Sequence, residues 1–307
     1  MGEIFIPRTL EDLSFTFPPA LEHISATSLK MAVRCEEQWR QRYILGKIQP
    51  PNLNLIGGSA DHKAIEHSMV QKIESGEDLP VQEVREVFVQ TVEERIEQAG
   101  GIGEIEFRDA DTKQEKQKAV DDLRIDGQKV VAMYHTGVSP RIQPTQVEQK
   151  FTIDVPGVPV EVIGYLDLVG RDESRILSLD TTELEIHGQE RIIDRKRSGR
   201  AKNKPEPEWL LQADIYQLAV PLPHDWHISV TTKMPKVQLP EDLASLRHEV
   251  QPRERVERTL VMLVKKLGWL YQTFGPDEPW PAQGTLHPWA CGFCGYRDDC
   301  WAWKDSA

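Results

Sequence analysis

Cysteine is scarce: the 307 residues contain four, and three of them fall within the last twenty. Long apolar runs are lacking as well. No uninterrupted stretch approaches the roughly 20 residues that a membrane-spanning helix needs, so no membrane partner is expected. The start, Met-Gly-Glu-Ile-Phe-Ile-Pro, has neither the basic stretch nor the apolar run of a secretory leader. The expected compartment is a reducing cytoplasm, where clustered cysteines act as metal ligands rather than as a disulfide framework. A G-x4-G-K-[ST] loop is missing, so any nucleotide-driven motor must sit on a separate chain. Cationic residues are outnumbered, 37 Lys and Arg against 49 Asp and Glu, for a net charge of −12. That sign opposes bulk attraction to nucleic acid. Exposed charges are screened beyond about 8 Å at physiological salt, however, so a local basic patch acts on its own. Residues 191–204 form such a patch: Arg191, Arg195, Lys196, Arg197, Arg200, Lys202 and Lys204 stand against one acid, Asp194.

Cys35 stands alone near the N-terminus, and Cys291, Cys294 and Cys300 form a C-x2-C-x5-C array. Two thiolates two residues apart can grip one metal centre from a tight turn. Cys300 supplies a third ligand and Cys35 a fourth, which would clip the two ends of the chain together. Closing a loop of about 257 residues costs about 5 kcal/mol, which structural metal binding worth roughly 10–16 kcal/mol offsets. Tetrahedral zinc and a cubane cluster both accept four thiolates, and spacing alone leaves the two open.

Residues 1–24 are proline-rich and irregular. Ser25-Ala26-Thr27-Ser28 offers hydroxyl caps for a helix running through Cys35 to about Leu45, and Pro50-Pro51 ends it. Gly57-Gly58-Ser59 opens a second helix carrying His62, Ile65, Glu66 and Met69 to about Glu74. A third runs from Val81 to Ala99, with Val84, Val87, Phe88, Val92 and Ile96 on one face, and a fourth from Asp111 to His135. The texture then changes. Val147–Val155 and Val160–Val169 alternate around Pro156-Gly157 as a hairpin. Arg175–Leu179 and Arg191–Lys196 read as strands, Trp209–Leu218 as a helix, His227–Lys233 as a strand and Arg253–Phe274 as a long amphipathic helix. Residues 234–252 read as a connector. The expectation is one domain over 1–307, with a mainly helical part at 25–140, a sheet core at 145–233, and a C-terminal helix with the cysteine region at 250–307.

Asp167 closes Gly164-Tyr165-Leu166-Asp167, and Asp194-Arg195-Lys196 follows one or two strands later. Strand side chains alternate, so Asp194 and Lys196 project from one face. Ile192-Ile193 before them imply a buried strand, and a charged pair at its end is costly unless it is used. His62 lies four residues after Gly58 on a helix, and Gln212 and Tyr216 share a helix face.

Together, G-x3-H (Gly58 to His62), G-x2-D (Gly164 to Asp167), D-x-K (Asp194 to Lys196) and Q-x3-Y (Gln212 to Tyr216) resemble the RecB-like branch of the PD-(D/E)XK nuclease superfamily, in the family's order. The cysteine pattern is similar to that of its iron–sulfur members, among them AddB-type recombination nucleases and CRISPR-adaptation exonucleases, some encoded by phages. The resemblance covers roughly residues 25–300. Asp167 and Asp194 are 27 residues apart, more than the family usually has, and Asp180 lies between them without a lysine at the required spacing. The interval 171–190 therefore reads as an inserted hairpin. Cys35 is followed by Glu-Glu-Gln-Trp, where many relatives have proline and an aromatic.

The resemblance implies an α/β fold with a PD-(D/E)XK restriction-endonuclease-like core. A mixed central sheet is flanked by helices, with helical additions and the C-terminal cysteine cluster. It implies a metal-dependent DNA exonuclease using Mg²⁺ or Mn²⁺, held by His62, Asp167, Asp194 and the carbonyl of Arg195. A divalent metal lowers the pKa of its bound water and clamps the phosphoryl oxygens. Lys196 would orient the water or stabilise the transition state, and Gln212 and Tyr216 would position the scissile strand or the lysine. Glu66 and Glu148 are candidates for an outer ring of carboxylates. Arg195, Arg197, Arg200, Lys202 and Lys204 would contact phosphates. Cys35, Cys291, Cys294 and Cys300 would hold a [4Fe–4S] cluster, with structural Zn²⁺ as the alternative. The expected partners are single-stranded or duplex DNA ends and a separate helicase, recombinase or annealing protein, in a prokaryotic cell or phage-infected host. A competing reading is a DNA-end binding subunit of a recombination, repair or CRISPR-adaptation complex, though a binding module has no need of Asp167, Asp194 and Lys196 together. A third, less favoured, is an inactive zinc-stabilised interaction protein.

Overall fold

Ser25 caps the first helix as its hydroxyl suggests. It accepts from the Ser28 backbone while the Ser28 hydroxyl accepts from the Ser25 N–H, a reciprocal box typically worth about 1 kcal/mol. The computed structural model describes residues 21–107, 110–172, 189–231, 235–282, 291–292 and 294–304. Along the chain run β1 (His23–Ser25), α1 (Ala26–Arg34), α2 (Glu36–Trp39) continued by a π turn (Arg40–Ile44), α3 (Leu53–Ser75), α4 (Val81–Gln98) and α5 (Lys113–Gly137). Then follow β2 (Ile142–Ile153), β3 (Glu161–Asp172), β4 (Glu190–Ser198), α6 (Pro207–Ala219) and β5 (His224–Val230). The chain closes with β6 (Lys236–Gln238), β7 (Arg247–His248), α7 (Arg253–Phe274) and α8 (Trp301–Lys304).

The mixed α/β architecture expected from the sequence is the one observed. The strands form a mixed sheet in the order β1-β3-β4-β5-β6, with β2 on β3 and β7 on β5. One face carries Leu29 of α1, Leu211 and Ile215 of α6, and Leu260 and Val264 of α7, packed with Val162, Leu166 and Ile192. The other carries Ala60, Ala64 and Met69 of α3, Phe88 of α4 and Tyr134 of α5, packed with Leu168 and Ile193. Both faces of β4 are therefore covered, and the strand is buried for most of its length.

Several boundaries differ from the sequence reading. The first helix does not run straight through Cys35: that residue is extended (φ −166°, ψ 118°) and breaks it. The helix bearing His62 starts earlier, at Leu53, because Asn52 caps it by accepting from the Leu55 N–H. Residues 234–252 are more than a connector, since β6 and β7 both pair with β5. The expected strand at Arg175–Leu179, most of the inserted hairpin, Asp180 and Lys233 lie outside the described residues.

The kink at Cys35 turns α2 toward the C-terminal segment, where the buried carboxylate of Glu37 is the hub. It accepts from the Arg40 guanidinium (2.7 and 2.8 Å), from Gln41 Nε2 (2.7 Å) and from the Trp280 backbone N–H (2.8 Å). The Glu37 N–H donates to the Pro281 carbonyl, and Trp39 stacks on Trp280 at 5.7 Å. Residues 37–40 and 276–281 are thus tied together by hydrogen bonds. The Glu-Glu-Gln-Trp departure from the usual sequence has a clear use here.

Candidate active site

Strand β3 gives one edge to β2 along its length, and its other edge is divided. Residues 161–163 pair in parallel with β1, and residues 168–171 pair antiparallel with β4. The ladder to β4 stops at Leu168↔Ile193, so Asp167 and Asp194 are the first residues past the point of separation. The alternation of β3 also slips here: Leu166 and Val169 both enter the first cluster, whereas Leu168 enters the second. Opposite this slip, on β2, Glu148 has φ 47°, a left-handed conformation uncommon for a side chain longer than Asn.

The outcome is a carboxylate-lined seam. Asp167 Oδ2 accepts from the Arg195 backbone N–H at 3.3 Å and lies 3.2 Å from His62 Nδ1. His62, Glu148 and Asp167 each offer a ligand atom within 4.8 Å of the others, a set able to hold a metal ion. The Arg195 carbonyl is within hydrogen-bonding reach of the same imidazole. Asp194 is 1% exposed and turned toward Lys196, whose Nζ lies 2.7–2.8 Å from its two carboxylate oxygens. Fully buried His224 of β5 stands behind, with Nε2 3.6 Å from Asp194 Oδ2.

Charge follows from this placement. Burial, then the neighbouring Asp194, raise the Asp167 carboxyl well above the usual carboxylate range. Burial alone would raise Asp194 too, but the Lys196 ammonium and the His224 ring hold it well below that range. The two carboxyls are therefore displaced in opposite directions, Asp167 being the more easily protonated of the pair. Burial and the Arg195 and Lys196 cations pull His62 down to about 4, leaving a neutral imidazole at pH 7 as a metal ligand requires.

Gln212 of α6 organises the lysine. Its Nε2 donates to the Tyr216 hydroxyl (2.6 Å), which turns Oε1 toward Lys196 Nζ (3.1 Å) and toward Lys30 Nζ of α1 (2.9 Å). Burial, then the nearby Lys196, lower Lys30 to about 8. Tyr216 is propped in turn by Phe151 in an edge-on contact at 5.6 Å. Here the motif glycine has its reason: a Cβ on Gly164 would sit 2.3 Å from the Phe151 ring.

A lysine held by a buried aspartate beside a second carboxylate, with a glutamine one helix away, is the arrangement by which one nuclease fold is known. The model of the PD-(D/E)XK nuclease superfamily matches residues 23–301. The chain belongs to the PD-(D/E)XK nuclease superfamily. Membership implies a divalent-metal-dependent nuclease with DNA as substrate. No curated protein matches the sequence. A solved structure described as "Crystal structure of SSO0001" aligns over 95% of this chain and 92% of its own, at 13% identity and a TM-score of 0.35.

In this PD-(D/E)XK nuclease the basic residues divide. Arg195 is 4% exposed, with its guanidinium 4.2 Å from the Tyr134 ring centre and donating to the Asp61 carbonyl at 2.6 Å. Arg197 pairs with buried Asp61 Oδ2 (2.8 Å). Both guanidiniums clamp α3 to β4 next to His62, and both residues also line the cavity that opens at the site. Lys202 pairs with Glu206, whereas Arg200 and Lys204 are exposed. Glu66 pairs with Lys63 (2.7 Å) at the rim.

Asp61, Lys30 and His224 escaped the sequence reading. Asp61 left a faint trace, an acid among Ala60, Ala64 and Ile65. Lys30 and His224 left none, because their partners are far away in sequence.

The four cysteines converge at the other end of α1. Burial raises Cys294 to about 11, and Cys35, Cys291 and Cys300 are close enough to add to that rise. Cys300 packs with Ala282 and Ala302, and Cys35, Trp301 and Trp303 lie against them. Four thiols close enough to influence one another, two of them in a small apolar cluster, are a donor set that fits a metal centre bound by thiolates. Among the described residues, no helix is long and apolar enough to cross a membrane.

Proposed function

We propose that this nuclease is an exonuclease, with His62, Glu148 and Asp167 as the nucleus of the catalytic metal site. Asp194 and the Arg195 carbonyl complete it. The observation that supports the nuclease reading is the seam where β4 leaves β3, where His62, Glu148 and Asp167 offer ligand atoms within 4.8 Å of one another beside the Asp194–Lys196 pair. A Mg²⁺ or Mn²⁺ ion bound there supplies a water of lowered pKa and charge stabilisation on the phosphoryl oxygens. A cation held there would favour the ionised form of Asp167. Lys196, aimed by Asp194 and by the Gln212–Tyr216 pair, orients the attacking water and faces the charge that develops on phosphorus. Arg200 and Lys204 provide phosphate contacts beside the site.

The same reading assigns a [4Fe–4S] cluster to Cys35, Cys291, Cys294 and Cys300, as a structural clip next to the Glu37 hub. Protein purified without oxygen should be brown and contain iron and sulfide; colourless protein containing zinc would refute the cluster.

Activity is tested on end-labelled linear DNA and on circular DNA of the same sequence, with Mn²⁺, Mg²⁺ or chelator. Progressive shortening of linear DNA alone, abolished by Asp194→Ala and by Lys196→Ala, is expected. Cuts in the circle would make it an endonuclease. Binding to ends with no cleavage under any metal would favour the end-binding subunit.

A further inference from the structure

Two cavities run outward from the seam along α3. The first, about 420 Å³, begins at His62, Glu148 and Lys196 and extends past Ser59 and Leu55 to Arg95 of α4. The second, about 280 Å³, has an apolar wall of Pro51, Leu55, Ile56 and Ala99. Leu55, Ser59 and Arg95 line both, so the two join at Arg95. Leu55 is 61% exposed, a large apolar side chain left open at this junction. The Arg95 guanidinium donates to Gln98 Oε1 (3.0 Å) and has no carboxylate partner among the described residues. On a chain of net charge −12, an exposed arginine without an acid partner at the meeting of two cavities is a ready fork for a phosphate.

We propose that this groove is a subsite for a phosphorylated single-strand end: Arg95 holds the terminal phosphate, and the wall of Leu55, Pro51 and Ala99 takes the terminal base. The proposal rests on the nuclease reading above and adds the substrate class. A groove with one exposed arginine and one apolar wall offers a place to one terminal nucleotide, so a single-stranded or frayed end is the substrate it suits. From Leu55 to His62 is seven residues of helix, about 10 Å. That distance spans at most about three nucleotides at a stacked rise of 3.4 Å, and fewer if the strand is extended. The released product is therefore a fragment of about one to three nucleotides carrying the phosphate.

Single strands of one sequence with a 5′-phosphate, a 3′-phosphate or hydroxyl ends are compared as substrates of the wild type and R95Q. Their affinities are measured in parallel by fluorescence anisotropy in chelator. The wild type should favour one phosphorylated end by about tenfold or more, in rate and in affinity. R95Q should lose that preference, R95K should keep part of it, and both should melt with the wild type because Arg95 is exposed. The end preferred reports the polarity. Equal handling of all three ends by the wild type, or an undiminished preference in R95Q, would overturn the subsite. If the wild type cleaves nothing, the nuclease reading fails while the anisotropy still decides: a phosphate preference lost in R95Q upholds the subsite, and none refutes it.

Discussion

Replacing Asp167 by Asn should make the metal-free protein more stable at pH 8 while removing its grip on divalent cations. In the folded state, burial and the charge of Asp194 hold the Asp167 proton well above the usual carboxylate range. Below the unfolded value of about 3.9 both states are protonated, and the carboxyl contributes nothing differential. As pH rises, the unfolded chain ionises first. Stability is then lost until the pH passes the raised folded value, and stays constant beyond it. Each unit of that upward displacement is worth about 1.4 kcal/mol, or about 3 °C in a chain of this length at about 2 °C per kcal/mol. Asn carries no charge at any pH. Thermal unfolding in chelator should show Asp167→Asn melting above the wild type at pH 8 and level with it near pH 4. Adding Mn²⁺ at a hundredfold excess over its Kd stabilises a binding protein by about 2.7 kcal/mol, so the wild type should gain about 5 °C and the variant little. A variant that melts lower at pH 8, or responds to Mn²⁺ as the wild type does, would refute the placing of Asp167 as a buried metal ligand.

Other expectations follow from neighbouring residues. Arg200→Ala with Lys204→Ala should reduce the salt slope of single-strand binding by about 1.4, two contacts at about 0.7 each, without loss of stability. Arg197→Ala should instead destabilise by about 3 kcal/mol or more, since it strands the buried Asp61 carboxylate; denaturant unfolding separates the two. Gly127→Ala, which would gain up to about 1 kcal/mol in an open helix, should cost about 1–3 kcal/mol. The added Cβ falls 2.0 Å from the Phe88 ring, and Phe88→Leu in the same chain should reduce the penalty. Lys30 should titrate near pH 8, read by NMR of ¹³C-methylated lysines; a midpoint near 10 would remove it from the seam.

What could be read from the sequence was whatever is local or periodic. Arg253–Phe274 emerged at its observed bounds because a long amphipathic helix announces both ends. Gln212 and Tyr216 shared a face because they lie four apart. The interval between Asp167 and Asp194 looked too long, yet the ladder Leu168↔Ile193 places the two side by side whatever its length. Glu148 was assigned to an outer ring, because no alternation pattern reveals a left-handed residue within a strand. A basic run shows its charge but not that Arg195 and Arg197 both reach across to Asp61 of α3. Lys30 met Gln212 across 182 positions, a separation over which one sequence carries no pairing signal.

Helix α1 joins the two ends of this chemistry as a rod. It is about 13 Å long, pinned at Ser25 by its capping box and by the pairing of β1 with β3, and it reaches Cys35 at the far end. Lys30 lies halfway. Leu29 and Ala32 are buried in the core and Arg34 pairs with Glu208 of α6, so the rod is held along its whole length. Misplacements of about 1 Å can cost a hundredfold in rate, and the same rigid rod that ends at Cys35 sets where the Lys30 ammonium meets Gln212.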